Sequence, residues 1–460
     1  MGGSSDRSAT VGFSPAKERN TKPFQFVGTG TISPPASAAV ATNVMNFHAT
    51  IRPVLIVFQL FGQFPVHGIV SEKASRWQLR WCSFQSVLCA ILLVMGCFLC
   101  FVEYDRLMVI GVNADNVIGP LFYLDVVIIM VLLWRVAYHW ATVVPKWEQV
   151  EALEVMQYNV RESGSRSSCR IRAVALLLLG LGFAEHMMSI AKTLYGKVDE
   201  ARFCHWDYSN LPEYYARRTH GFVFRRLPYN FPFFLFMEYA NTALTMAWTV
   251  QDVLIIMISD AIAGYFDRLN ARILFYSTVQ VVSSEKFWCE IHSDYVMICE
   301  LLEHVMSICS PLVVVSCGTN LYLICYQLFH LVETEKSIIK TVFTYFSLFC
   351  VILRTLLMLH HCSAVHEAAR RPIKLCRRVP TSSWCSESER FYDFVRKSSI
   401  AISAMGLFRL TKKTMLTMLG AIITYELVML HFAQTTAHRG IVEECSSVEY
   451  SYEPKMESRH

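Results

Sequence analysis

The feature that most limits the fold of this 460-residue chain is a series of long apolar runs. A helix needs roughly 20 apolar residues to cross the hydrocarbon core of a bilayer. Only 17% of the residues are charged, whereas a soluble domain carries about 25%. The runs therefore predict an all-α polytopic membrane protein with seven transmembrane helices, at approximately 82–104, 117–144, 171–197, 229–259, 305–332, 337–362 and 402–432.

Two of these runs continue as helical patterns beyond their apolar parts. Residues 229–275 and 292–332 carry acids and bases at their inner ends, while apolar residues still recur at helical spacing. This pattern predicts helices that project past the membrane and pack against one another in the cytoplasm.

Two segments precede the first run. Residues 1–45 are rich in Ser, Pro, Ala and Lys and contain no apolar stretch, which predicts a disordered cytoplasmic tail without a cleavable signal peptide. Residues 46–70 are apolar, but Pro53, Gly62 and Pro65 interrupt them, which predicts a re-entrant or interfacial helix rather than a span. Counting this helix as a span would reverse the side of every later loop.

Lysine and arginine indicate the orientation, because cytoplasmic loops are enriched in both. With the N-terminus inside, the cytoplasmic segments 1–80, 144–172, 258–295 and 366–413 carry 27 of the 42 basic residues. We therefore predict a cytoplasmic N-terminus and an extracellular C-terminus, opposite to a G-protein-coupled receptor. The outer loop 197–227 is the exception, since it carries six basic residues.

Polar residues inside the spans are costly in hydrocarbon, so they usually face a partner, a cavity or a pore. Two acids, Glu185 and Glu238, lie at similar depth, and carboxylates accept strong hydrogen bonds from the hydroxyls of a polyhydroxylated ligand. Aromatic faces can line the apolar side of such a ligand. The candidate ligand-binding residues are Glu185, His186, Ser189, Glu238, Asn241, Trp248, Asn320, Tyr322 and Tyr345.

The alternative is that these residues form helix–helix hydrogen bonds without contacting a ligand. For Asp252 and Arg354, in the inner halves of two spans, we favour that structural role, as an ion pair or hydrogen-bonded group.

Other kinds of site lack support in the sequence. It contains no P-loop, GxSxG or HExxH motif, so we expect no enzyme and no cofactor. His360, His361 and Cys362 are adjacent and do not share a helix face, so we expect no metal. No basic run with interleaved aromatics indicates a nucleic-acid partner.

Several stretches in order resemble the insect gustatory receptors, and within them the sugar receptor clade. The most specific is TYELVMLHF (424–432), which is similar to the family's Thr-Tyr, five residues, then Gln-Phe. The resemblance covers roughly residues 46–445. Supporting stretches are PVHGI (65–69), the Glu185–His186 pair, YVMICELLEHV (295–305), SCGTNLYLICYQL (316–328), LRT (353–355) and RRVPTSSWCSESER (377–390).

The resemblance implies a sugar-gated, non-selective cation channel in the plasma membrane of taste neurons. It implies a tetramer, either of this chain alone or mixed with other gustatory receptors, surrounded by lipid and conducting cations through a central pore. A mono- or disaccharide is expected in the outer half of each subunit. The implied parts are a ligand-binding bundle of six spans (71–365), a cytoplasmic anchor segment (366–401), a pore helix (402–436) and an extracellular tail (437–460).

The pore helix carries the candidate gate. On a helix, Tyr425, Met429 and Phe432 share one face, and Leu427 and His431 share another. We expect the narrow outer gate at His431 and Phe432, with Glu426 deeper, either attracting cations or pairing with a neighbouring subunit. The family usually has Gln at position 431. His431 either forms a ring that acid charges, which would reduce conductance, or is a neutral replacement for Gln.

Cys204 and Cys445 would both face an oxidising space, so a disulfide between them is a hypothesis.

The chain is alternatively a receptor for a non-sugar tastant or an obligate co-subunit. A G-protein-coupled receptor is less favoured because of the orientation, and a transporter because no inverted repeat is found.

Overall fold

The computed structural model of the protein describes residues 46–436 apart from 72, 113, 158–159, 208, 225, 279–284 and 332–337. Side chains are described at these residues except at 114–115, 157, 160–167, 276–278, 330, 382, 426–427 and 429–436. The predicted tails, residues 1–45 and 437–460, lie outside the described residues.

The described chain is almost entirely helical, as predicted. Two short antiparallel hairpins also form, one from β1 (Val66–His67) and β2 (Gln78–Leu79), the other from β3 (Ser403–Ala404) and β4 (Phe408–Arg409). The α-helices within the described residues are α1 (Phe47–Leu60), α2 (Phe84–Ile110), α3 (Ala114–Glu151), α4 (Glu154–Gln157), α5 (Val160–Phe203), α6 (Leu211–Thr219), α7 (Gly221–Phe224), α8 (Phe231–Thr278), α9 (Glu285–Leu331), α10 (Ile338–Cys376), α11 (Ser386–Lys397) and α12 (Lys412–Thr436).

Six of the described helices are long and apolar enough to cross a membrane: α2, α3, α5, α8, α9 and α10. They match the first six predicted runs. The seventh predicted run corresponds to α12, which begins at Lys412, ten residues later than the run. The difference arises because β3 and β4 occupy the start of the run, with Met405 and Gly406 at φ of 52° and 77° in the turn between them. The count of seven spans stays a prediction.

α8 is the central helix of the bundle. Its most apolar window is 94% buried, against 22% for α5, and it packs against α10, α5 and α9. Small residues allow this close packing. At Gly182 of α5, an added Cβ would lie 2.6 Å from Thr249 Oγ1 of α8, so glycine permits the contact between the two helices.

On the predicted cytoplasmic side, the helices extend well past the apolar runs. α8 continues to Thr278 and α9 begins at Glu285, as the helical patterns predicted. Their ends pack with α10 and α11 around Tyr295, whose hydroxyl donates to the Ala369 carbonyl oxygen at 3.0 Å. Phe391 of α11 packs edge-on against the Tyr295 ring, with 5.5 Å between the centroids.

The segment before the first span forms α1, which is too short to cross a membrane. Its 14 residues extend about 21 Å, against roughly 30 Å of hydrocarbon. Pro53 lies inside α1, so the prediction that it interrupts the helix is wrong. The helix ends instead near Gly62, which has a φ of 63°. At the other end, the Phe47 amide donates to Glu151 Oε1 of α3 at 2.7 Å, which anchors the helix start.

His48 on α1 is fully enclosed by aromatic side chains. It is 2% exposed, and its ring lies edge-on to Trp77 and Trp140 with centroid distances of 5.2 and 6.1 Å. Neither ring nitrogen has a hydrogen-bond partner among the described residues. Burial therefore lowers the pKa of His48 from 6.5 to about 4, because the charged imidazolium is disfavoured in this surrounding.

Candidate ligand and pore sites

A cavity of about 240 Å³ lies at the end of the bundle where α2 and α5 end, which is the predicted outer end. Its walls come from α2, α3, α5 and the α6–α7 segment. We call it the outer cavity. Its polar lining includes Glu103, Arg106, Tyr123, Lys197, Arg218 and His220.

Glu238 of α8 adjoins this cavity through His220. The His220 Nε2 atom lies 3.2 Å from Glu238 Oε1. Glu238 also interacts electrostatically with Tyr123 and His186. We call Tyr123, His186, His220, Glu238, Asn241 and Thr242 the outer cluster.

The remaining contacts of the outer cluster tie α3 and α5 to α8. The Tyr123 hydroxyl lies 3.4 Å from Asn241 Oδ1, to which it donates. His186 Nε2 lies 3.1 Å from Thr242 Oγ1. Three predicted ligand-binding residues, His186, Glu238 and Asn241, therefore come together next to the outer cavity.

A second polar group lies deeper, among buried residues of α3, α8, α9 and α10. Arg354 Nε lies 2.9 Å from Asp252 Oδ2, and the two side chains are 7% and 0% exposed. Asn320 Nδ2 donates to Asp252 Oδ2 at 3.0 Å, and Arg354 Nη2 donates to Asn320 Oδ1 at 3.2 Å. Ser316 donates to the other Asp252 oxygen. Asn320 thus belongs with Asp252 and Arg354 rather than with the outer cluster.

Asp125 extends this deeper group to α3. Its carboxylate accepts from Trp248 Nε1 at 2.7 Å and from Thr319 Oγ1 at 2.9 Å. Trp248, predicted to line a ligand, therefore directs its indole N–H to a structural partner. Asp125 was not among the predicted site residues, although an aspartate within the second apolar run was a signal that could have found it. We call Asp125, Asp252, Asn320 and Arg354 the buried polar layer.

Glu185 has different partners from Glu238, although both belong to the predicted ligand set. Ser347 of α10 donates to Glu185 Oε1, and Gln327 Nε2 donates to Ser347 Oγ at 2.9 Å. Glu185 also interacts electrostatically with Arg354. Its partners therefore connect it to α9, α10 and the buried polar layer.

None of the nine predicted ligand residues belongs to the wall of the outer cavity, and the last three also lie outside the outer cluster. Ser189 accepts a hydrogen bond from Thr193 Oγ1 through its backbone oxygen, at 2.9 Å. Tyr345 is 58% exposed on the single chain. Tyr322 stacks on Tyr326 at 6.2 Å and interacts electrostatically with Tyr425. Tyr322 therefore faces α12.

The candidate pore helix α12 packs on α9 and α10. Tyr425 is exposed on the single chain. Other apolar side chains of this helix, among them Leu416, Leu419 and Ile423, are also exposed. The side chains of the other predicted pore residues, Glu426, Leu427, Met429, His431 and Phe432, lie outside the described part of the structure.

Two further predictions concern cysteine and histidine. Cys204 is disulfide-bonded, but its predicted partner Cys445 lies outside the described residues, so the pairing stays a prediction. His361 Nδ1 lies 3.0 Å from Asp260 Oδ1. Among the described residues, no group of three His, Cys, Asp or Glu side chains is arranged to hold a metal ion.

The outer loop supplies cavity residues that were not among the predicted site residues. Arg218 and His220 line the outer cavity, and Arg218 stacks on Trp206 with its guanidinium carbon 3.6 Å from a ring centroid. The available signal was the surplus of basic residues in loop 197–227, which stood out against the charge asymmetry.

Known proteins resemble this chain over most of its length. A model of the trehalose receptor family matches residues 38–445. The gustatory receptor for sugar taste 64a of Drosophila melanogaster is 28% identical over 413 residues, which is 88% of each chain. Gustatory receptor 5a for trehalose, from the same organism, is 27% identical over 84% of this chain and 85% of its own.

A solved structure resembles the fold. The insect olfactory receptor OR5 from Machilis hrabei, in complex with eugenol, superposes with a TM-score of 0.64. The superposition covers 84% of this chain and 98% of that one, at 16% sequence identity. This likeness concerns the fold alone.

Proposed function

This chain belongs to the trehalose receptor family of insect gustatory receptors, and we propose that it is a sugar-gated, non-selective cation channel of taste neurons. As a family member with six apolar helices long enough to span, it is a multi-pass membrane receptor and not an enzyme. The relatives named for sugar taste and for trehalose support a sugar ligand.

The single observation that carries the ligand proposal is the contact of Glu238 with His220, a residue of the wall of the outer cavity. A carboxylate accepts strong hydrogen bonds from sugar hydroxyls. The neighbouring Tyr123 hydroxyl and the His220 ring add groups that can donate or accept. Tyr123 and His220 on the cavity wall, with Glu238 in contact with His220, therefore offer a hydroxylated ligand several partners close together.

The proposed pore is formed by α12 of four subunits. The fold shared with an insect olfactory receptor and the exposed apolar side chains of α12 support an assembly in which other subunits cover this helix. We place the gate at His431 and Phe432, with Tyr425, Leu427 and Met429 on the same helix and Glu426 deeper. Currents of His431→Gln and of the natural chain, recorded at mildly acid and neutral pH, distinguish a ring of histidines that titrates from a neutral one. Identical pH curves of the current would exclude titration of His431.

The buried polar layer is the proposed connection between ligand and pore. It joins α3, α8, α9 and α10, and α9 and α10 pack directly on α12. Tyr322 of α9 interacts with Tyr425 of α12. Movement of α8 at Glu238 would therefore reach the pore helix through α9 and α10.

The test is Glu238→Gln in cells that express the chain alone, with sugar-evoked current and surface expression measured together. The change removes the carboxylate but keeps size and shape, so we expect the half-maximal sugar concentration to rise at least tenfold. Glu213→Gln is the matched control, because Glu213 pairs with Arg217 on α6 and neither of these residues lines the cavity, whereas Glu238 contacts the wall residue His220. Equal responses of both variants would contradict the assignment of Glu238. Absence of current in the natural chain, with protein at the surface, would favour an obligate co-subunit or a non-sugar tastant.

A further inference from the structure

We propose that the outer cavity binds one hexose ring and that the Glu103–Arg106 ion pair on its wall holds the ring's hydroxyls. The inference rests on the proposed function and extends it, since it assigns residues of α2 and of the outer loop to sugar recognition. It also implies that each subunit holds one ring of the sugar in this cavity.

The Glu103–Arg106 pair has the geometry of a binding group. Arg106 Nη1 lies 3.2 Å from Glu103 Oε2, and the two side chains are 43% and 22% exposed. Half-buried charges remain reachable by a ligand, and hydrogen bonds to them are stronger than those between neutral groups. The pair presents a carboxylate acceptor and a guanidinium donor side by side, which matches the adjacent hydroxyls of a sugar.

Gly119 of α3 leaves room for the Glu103 carboxylate. A Cβ added at Gly119 would lie 2.5 Å from Glu103 Oε2. The carboxylate therefore occupies space that only glycine leaves open on the facing helix.

The charged and aromatic-ring groups on the opposite wall also have partners within the protein. Lys197 Nζ lies 2.8 Å from Glu200 Oε2, and Arg218 stacks on Trp206. His220 is engaged with Glu238. Because acids and bases alternate and most are already paired, a charged ligand would have to disrupt an ion pair. A neutral polyol can instead add hydrogen bonds to both members of a pair, so the lining favours an uncharged sugar over an ion.

The cavity is smaller than a typical site for a drug-sized ligand. Its size of about 240 Å³ is below the roughly 300–1,000 Å³ of sites for drug-sized ligands. A single pyranose ring suits this volume. A disaccharide would place one ring inside and leave the other outside, so both kinds of sugar would depend on the same wall residues.

The experiment compares Glu103→Gln with Asp105→Asn in cells that express the full chain. Asp105 lies two residues along α2, pairs with Arg226 at 2.6 Å and does not line the cavity. With glucose and with trehalose as probes, we expect Glu103→Gln to raise the half-maximal concentration about 10- to 100-fold, the range for losing a hydrogen bond to a charged group. We expect Asp105→Asn to change it less than twofold and maximal current to stay the same.

Gly119→Ala provides a second variant that keeps every charged group. Its methyl group displaces the Glu103 carboxylate, so it should raise the half-maximal concentration in the same direction as Glu103→Gln. Unchanged concentrations in both Glu103→Gln and Gly119→Ala, with a normal natural channel, would overturn this inference and leave the proposed function intact. A natural chain without any sugar-evoked current would instead contradict the proposed function itself.

Discussion

Acidification should weaken the docking of α1 through one residue, His48. Burial among Trp77, Trp140 and neighbouring rings lowers the pKa of His48 from 6.5 to about 4. The stabilisation from neutral His48 is complete above pH 6.5. It is lost as the pH falls from 6.5 toward 4, because the unfolded chain binds the proton first.

The pKa difference gives the size of the loss in unfolding free energy. Since one pKa unit is worth 1.36 kcal/mol, the loss is about 2 kcal/mol at pH 5 and levels off at ~3.4 kcal/mol below pH 4. His48→Leu removes this titration and keeps an apolar side chain of similar size. It also removes two buried nitrogens that lack partners among the described residues, so stability at neutral pH should be unchanged or higher.

The assay is thermal unfolding of the purified chain in detergent at pH 7.5 and pH 5.0, followed by tryptophan fluorescence. Other titrating groups affect both proteins and cancel in the comparison. The natural chain should lose about 2 kcal/mol more than His48→Leu on acidification. Identical acid-induced losses in the two proteins would refute the reasoning, because His48 would then not be buried in its neutral form.

Three further predictions concern the bundle. Arg354→Met or Asp252→Asn alone should lower the stability of the protein by about 3–5 kcal/mol, because each leaves a buried partner unpaired, and the double variant should lose less than the sum of the two. The yield of folded protein in size-exclusion profiles follows this order, and additive losses would argue against the pairing. Gly182→Val should destabilise by about 1–3 kcal/mol through its contact with Thr249, whereas Gly180→Val, with no atom within 4 Å of an added Cβ, is the control; equal thermal midpoints would contradict this. Non-reducing peptide mapping should recover Cys204 cross-linked to Cys445, and a free thiol at either position would exclude that pair.

The sequence predicted the helices well because membrane spans have a strong compositional signal. Apolar runs at least as long as the hydrocarbon core located the first six long helices, and helical patterns located the inner extensions of α8 and α9. Local backbone features were less predictable. The β3–β4 hairpin replaced the start of the seventh run, and Pro53 was accommodated inside α1, since neither feature changes the apolar pattern.

The grouping of polar residues could not be predicted from depth alone. Adjacent residues on a helix point about 100° apart, so Glu185 meets Ser347 of α10 while His186 meets Thr242 of α8. Depth alone grouped Glu185 with Glu238, but their side chains contact different partners, Ser347 and His220. The contribution of His220 depends on the fold of the outer loop, which carries no periodic signal.

The most direct test of the central claim is the current carried by the purified chain alone in a lipid bilayer. The account predicts that adding glucose or trehalose evokes a cation current that reverses when the sugar is washed out. Folded, incorporated protein that passes no current with either sugar would contradict the claim that this chain forms a sugar-gated channel.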